Sequence, residues 1–248
     1  PLLVSVRTRA RGSMPNLMKT ILYLGINDTI ANSMAIKSGN AIWAYDCYKT
    51  FVQTYSVAVK KIPLENFENI EKNFKNANGI SCDKQFSAGE LKRLVGLFKT
   101  EYRAKTGTTF PDDPYVQLFN AIEGGFASWD NPDANAYRKE NDIPFASGVA
   151  ITIQSMIYTT KDSECGKGVV FTRCPESGEK IMAGHYCSGP QKNYYDLKTA
   201  NEFSDLFPAV YRQLKTIVDI VEKNWRTIKE IHFAVQTNTV LELQQLPQ

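Results

Sequence analysis

Ser5-Val6-Arg7-Thr8-Arg9-Ala10-Arg11-Gly12-Ser13-Met14-Pro15 is the stretch on which the reading of the fold turns. The residues before it, Pro1-Leu2-Leu3-Val4, are apolar, and the run into Val6 and Arg7 is β-branched, as in a buried strand that delivers a cation to a site. Arginines at every second position put three guanidinium groups on one side of an extended chain. Planar forks of this kind bind phosphate oxygens in pairs, and Gly12 and Ser13 can add a backbone amide and a hydroxyl. The same spacing also suits an exposed edge strand whose charges keep other chains from pairing with it. No initiator methionine and no charged, apolar leader precedes the strand, so it reads as lying inside a domain.

Composition excludes several classes. A net charge of +3 is too slight to imply nucleic acid or an anionic membrane as partner, and acids are interspersed with the bases. No apolar run has bilayer length. Five cysteines, an odd count without regular spacing, suggest free thiols in a reducing cytosol, so a cytoplasmic protein is expected. No internal repeat is present.

Outward from the arginine strand the period changes twice. Tyr48, Phe51, Val52 and Tyr55 form one stripe of a helix over residues 46–59, and residues 62–74 give a second helix that stops at Asn78-Gly79. Ser87 and Glu90 make a capping box ahead of Leu91, Leu94, Val95 and Phe98, with Gly107 as the stop. Asp113 caps a further helix carrying Val116, Leu118, Phe119, Ile122 and Phe126. In the second half, alternation at Val149, Ile151 and Ile153 predicts a strand. Residues 168–173 and 180–186 read as a strand pair around a Pro175-Glu176-Ser177-Gly178 turn. Val210, Leu214, Ile217, Val221 and Trp225 mark a helix, and residues 228–235 and 240–244 form two strands about a turn at Asn238. Helices and strands are partly segregated, which favours an α+β fold.

Several blocks together resemble pyruvate, phosphate dikinase. They are VSVRTRARGSMPNLMKTILYLGIND (4–28), GNAIWAYDCYKTFVQTY (39–55), TGTTFPDDPYVQLFNAIEGGFASWDNPDANAYRKENDIP (106–144), GVVFTRCPESGEK (168–180), EIHFAV (230–235) and LELQQ (241–245). They stand in the family's order, with an apparent deletion after His185. The resemblance implies an ATP-grasp-like nucleotide-binding domain with an inserted helical subdomain, incomplete at its N-terminus. It divides the chain into a partial first subdomain (1–26), a helical insert (27–112), a return to the first subdomain (113–155) and a second subdomain (156–248). The family's pattern also places an apolar helix after the arginine loop. ATP and Mg²⁺ are the implied ligands, and the implied reaction phosphorylates a histidine on a separate domain that feeds pyruvate–phosphoenolpyruvate interconversion. The phosphohistidine and pyruvate-binding domains are absent from this chain, as is the family's glycine-rich, lysine-bearing segment. A homo-oligomer is compatible with the sequence; neither nucleic acid nor membrane is an expected partner.

Residue by residue, Arg7, Arg11, Ser13, Met14 and Pro15 take the nucleotide-binding positions of the arginine loop. Arg9 replaces a glycine there. Gln154 and Met156 match the edge of the adenine pocket, and Thr172 and Arg173 match the phenylalanine–threonine–arginine signature, whose following asparagine is Cys174. Glu230 and Gln244 match metal ligands. Other positions depart from the pattern: Thr50 stands in place of a second phosphate-binding arginine, with Lys49 beside it. His232 replaces a carboxylate, which weakens a site for a cation that prefers oxygen donors. His185 replaces a glutamate, and Leu246 an arginine. Turnover by the chain alone is therefore expected to be impaired or absent. The alternative is a degenerate paralogue that keeps the fold as a binding or structural module. A zinc site from Cys165, Cys174, His185 and Cys187 is chemically conceivable but lacks paired-cysteine spacing. His232, in an alternating strand, reads as a structural side chain rather than a base, and Trp43, Tyr48, Phe51 and Tyr55 read as core.

Overall fold

The computed structural model describes residues 2–10, 20–159, 161–189, 193–197 and 200–245. The chain divides into two compact units, Pro1–Met156 and Ile157–Gln248. In the first, strands β1 (Val4–Ala10), β2 (Thr20–Leu24) and β3 (Val149–Ser155) form an antiparallel sheet in the order β2-β1-β3. Between β2 and β3 run six helices: α1 (Asp28–Ser38), α2 (Ala41–Lys60), α3 (Leu64–Asn78), α4 (Ala88–Thr106), α5 (Pro114–Ala127) and α6 (Pro132–Glu140).

The caps read from sequence form. Ser87 Oγ accepts from the Glu90 amide at 3.3 Å and Glu90 Oε2 accepts from the Ser87 amide at 2.8 Å, closing the box that starts α4. Gly79 and Gly107 end α3 and α4 in the left-handed region. Asp113 Oδ1 accepts from the Tyr115 amide at 2.7 Å to start α5. Tyr48, Phe51 and Tyr55 have no exposed surface, and Trp43 has 9%. Phe110 stands edge-on to Phe51, Tyr55 and Tyr102, with ring centroids 5.1–5.6 Å apart, so the aromatic stripe is core.

Two expectations need correction. Residues 20–24 of the segment following the arginine loop form β2, not an apolar helix, and Thr20 and Ile21 pair with Arg7 and Val6. Thr-Ile-Leu-Tyr-Leu is rich in β-branched and aromatic residues, and its five residues would make little more than one helical turn before Gly25. Helix α5 does not bury its apolar stripe: Val116, Phe119 and Phe126 are exposed, whereas Gln117 and Ala121 are buried. A Cβ at Gly125 would come within 2.8 Å of Thr8 Oγ1 and 2.9 Å of Ile151 Cδ1, so the helix lies too close to the sheet for any larger side chain there. Buried Gln117 then accepts from the Gly25 amide at 2.9 Å and donates to the carbonyls of Ile26 and Pro111. Arg138 is also fully buried, its guanidinium 3.8 Å from the Trp129 ring centroid and 4.3 Å from that of Phe145. It donates to the Trp129 carbonyl and to Asn135 Oδ1.

The second unit is an antiparallel five-stranded sheet in the order β6-β5-β4-β7-β8, from β4 (Gly166–Phe171), β5 (Ala183–Ser188), β6 (Asn193–Asp196), β7 (Glu230–Gln236) and β8 (Thr239–Gln245). Helices α7 (Ala200–Leu206) and α8 (Pro208–Trp225) pack on one face, where Val170, Tyr186, Phe203, Val210, Leu214, Ile231 and Phe233 make the core. Thr237 and Asn238, both in the left-handed region, make the β7–β8 turn, as a two-residue hairpin requires. Strand β5 begins at Ala183, later than the alternation suggested. Gly184 is obligatory within it: its φ is +139° and a Cβ would lie 2.0 Å from the Val169 carbonyl oxygen. The cysteines are all free thiols. Among the described residues, no helix is long and apolar enough to cross a membrane.

Candidate functional site

In the first unit the register of β1 against β3 decides which side chains share a face. Ser5 pairs with Gln154, Arg7 with Thr152 and Arg9 with Ala150. Directly paired residues of an antiparallel ladder point the same way, so Arg7 and Gln154 are diagonal neighbours on one face. The opposite face carries Val6, Thr8 and Ile151, and α5 covers it. Arg7 and Gln154 are half-buried and Arg9 is exposed. Ser5 Oγ donates to the Gln154 carbonyl at 3.5 Å, and the Met156 amide donates to the Leu3 carbonyl at 2.8 Å, so the ladder continues one rung past β3. The result is a cation, an amide and a thioether on adjoining rungs. Such a set suits an anion beside the polar edge and apolar face of a base. Arg11, Ser13, Met14 and Pro15 lie outside the described residues.

Lys49, the charge kept beside Thr50, points elsewhere. It is 9% exposed and stands 3.4 Å from Glu71 Oε2 and 3.5 Å from Asp46 Oδ1. With Glu71, Lys72 and Lys75 it lines a cavity of about 730 Å³ at α2, α3 and the 79–83 turn. That cavity holds as many acids as lysines and none of the residues matched to nucleotide binding.

In the second unit Thr172 and Arg173 follow β4 directly. Thr172 is buried; its Oγ1 donates to the Thr227 carbonyl at 3.2 Å and accepts from the Lys229 amide at 3.0 Å. Arg173 turns its fork onto helix α8, with Nε 3.1 Å from both carboxylate oxygens of Glu222 and Nη2 3.1 Å from the Arg226 carbonyl. Hydrogen bonding to the guanidinium holds the Glu222 carboxyl below its usual range and pushes Arg173 up. Glu222 was missed by sequence reasoning, because nothing local links it to an arginine 49 positions away.

The sheet face away from α7 and α8 carries the remaining candidates. Val169 lies opposite His185 on one side and His232 on the other. Glu230 precedes His232 by one alternation, and its Oε1 stands 2.8 Å from His232 Nε2. The backbone of Gln244 lies opposite His232. As a magnesium site this donor set fits poorly: the ion takes hard oxygen ligands at 2.0–2.1 Å, and one of the two converging donors is an imidazole nitrogen already bonded to the carboxylate. Cys165, Cys174, His185 and Cys187 are not gathered, and among the described residues no three metal-donor side chains of the His, Cys, Asp and Glu types converge.

The α+β architecture, with a cation-bearing strand, a helical run between β2 and β3, and a second antiparallel sheet backed by two helices, is consistent with an ATP-grasp-like domain. Residues 3–191 match the pyruvate phosphate dikinase AMP/ATP-binding domain, and the chain belongs to that family. It is 39% identical over 250 residues to pyruvate, phosphate dikinase of Clostridium symbiosum, covering 98% of this chain and 29% of that one. It is 37% identical over 252 residues to chloroplastic pyruvate, phosphate dikinase 1 of Arabidopsis thaliana, covering 98% and 26%. The chain thus spans well under a third of the length of these relatives.

Proposed function

We propose that this chain is the ATP-binding portion of a phosphotransferase of the pyruvate, phosphate dikinase type, in which ATP phosphorylates a histidine carried on another domain. The observation that carries the reading is the shared face of Arg7 and Gln154, with Met156 one rung on. Arg7 would hold phosphate oxygens, and Gln154 and Met156 the base. Arg11, Ser13, Met14 and Pro15 extend the phosphate contacts, and residues 27–112 form the inserted subdomain. Five free thiols suit a reducing compartment such as the cytoplasm. Calorimetric titration with ATP should give saturable heat, weakened about tenfold or more by Arg7→Ala, since a hydrogen bond to a charged group contributes roughly 1.5–3 kcal/mol. No heat at millimolar ATP with either Mg²⁺ or Mn²⁺ would overturn it.

A second reading, a fold kept without turnover, is favoured by three engagements: Arg173 with Glu222, Lys49 with Glu71, and Glu230 with His232. Arg173 and Glu230 stand at positions that the family pattern directs to chemistry, and Lys49 is the one charge beside Thr50. It predicts a cooperative melt that saturating ATP leaves unmoved. Phosphorylation of a supplied histidine domain by the unaltered chain would end it.

A further inference from the structure

We propose that the charge-lined cavity at α2, α3 and the 79–83 turn is a binding site for a short zwitterionic peptide of dipeptide size. Helix α3 sets Phe67 against Phe98 of α4, ring centroids 5.0 Å apart, and Phe74 against Phe86 at 6.3 Å. Its charged stripe, Glu68, Glu71, Lys72 and Lys75, is left to line a cavity of about 730 Å³ shared with Lys49 and Gln53 of α2. That volume lies in the range of small-molecule sites. On one side Lys75 Nζ stands 2.8 Å from Glu71 Oε1 and 2.5 Å from Asp83 Oδ1, close ion pairs both. Lys49 differs. It is 9% exposed, yet its Nζ reaches Glu71 and Asp46 only at 3.4 and 3.5 Å, beyond the roughly 2.7–2.9 Å of a good charge-assisted bond. An ammonium carries three donors, and burial makes under-bonding costly, so a carboxylate entering the cavity would complete it. Glu68 and Lys72 are exposed and one helical turn apart, in the order that favours an i,i+4 ion pair. Among the described residues neither has an ion-pair or hydrogen-bond partner. Their positions differ by about 6 Å along the helix axis, and two extended residues span up to about 7 Å, whereas one spans half that. A dipeptide therefore sets its carboxylate at Lys49 and Lys72 and its ammonium at Glu68. The side chains of Gln53 and Asn76 supply the donors and acceptors that its amide needs. A ligand of one sign would meet opposing charge, because Lys49, Lys72 and Lys75 are matched by Glu68, Glu71 and Asp83.

Alanylalanine, titrated into the full chain and followed by ¹⁵N-resolved amide spectra, should give saturable shifts at residues 49–53, 68–76 and 79–83. Acetylating its amine or amidating its carboxylate should each weaken binding about tenfold, because a charge-assisted contact is lost. Glu68→Gln and Lys72→Gln lie at the exposed rim and should keep the fold, which circular dichroism checks; each should weaken binding about fivefold, the upper range for an exposed charge pair. Lys49→Met should weaken it further, and the two rim variants keep the test open if that chain fails to fold. No residue matched to nucleotide binding lines the cavity, so Arg7→Ala and added ATP should leave the peptide titration unchanged. Failure of ATP to bind would thus sink the ATP reading and leave this one standing. No saturable shift at tens of millimolar peptide, or shifts centred outside the three segments, would overturn the proposal. Equal binding of the blocked peptides, or displacement by ATP, would overturn it too, leaving a solvated polar cleft or a simple anion site.

Discussion

The three-stranded sheet of the first unit and the five-stranded sheet of the second share a plan but differ in what their polar faces retain. Both bury one face under helices. In the first, the other face keeps the arginine and amide that its family resemblance implies, and the register of β1 with β3 sets them side by side. In the second, the fold is equally well packed, with Tyr186 stacked 5.9 Å from Phe233, yet the polar groups have been drawn into partnerships with one another. Arg173 holds α8 through Glu222, and His232 holds Glu230. Burial constrains a core residue through its volume, while a surface functional group is constrained only by its ligand. Scaffold and chemistry can therefore change independently within one chain.

Mutations can break this contrast at several points. Phe51→Ala should have the largest effect, lowering stability by about 3–5 kcal/mol because it opens a cavity among Tyr55, Phe110 and α4; denaturant unfolding of the first unit reads it. Gly184→Ala does the same for the second sheet, at about 2–4 kcal/mol from steric overlap and backbone strain together. If a melt of this variant matched the parent, the close approach of β5 to Val169 would be wrong. Arg7→Ala should reduce ATP affinity in a calorimetric titration, whereas Arg173→Ala should lower the stability of the second unit.

A pH titration sharpens the contrast further. Arg173 lowers the folded-state pKa of Glu222, so the folded protein binds fewer protons there than the unfolded one. The stabilisation is present above the carboxyl's usual range and is lost as pH falls through the lowered value. Glu222→Gln should flatten that part of the acid melting curve, and high salt should do so partially, because the pair is at the surface. The smallest effect is chemical. Burial pushes the Cys47 thiol up to about 12, so iodoacetamide at pH 8 should label exposed Cys82 and spare Cys47.

Much of the fold was legible because helix signals are local. The Ser87–Glu90 box, the Gly79 and Gly107 stops and the aromatic stripe of α2 each act within one or two turns. Helix α6 was not legible, since its nine residues carry no apolar stripe and only an Asn131 cap announces it. Helix α5 misled for the opposite reason: its conspicuous stripe faces outward, Gln117 and Ala121 make the buried side, and Gly125 allows the close approach to the sheet.

Local sequence carries the family and the alternation that makes β1 a strand. These depend on residue identity and spacing along the chain. It took the folded chain to set Arg7 beside Gln154, to engage Arg173 with Glu222 and Lys49 with Glu71, and to bond Glu230 to His232. Those facts join residues through strand register and helix docking, which arise from packing of the whole unit and leave no mark at either residue alone.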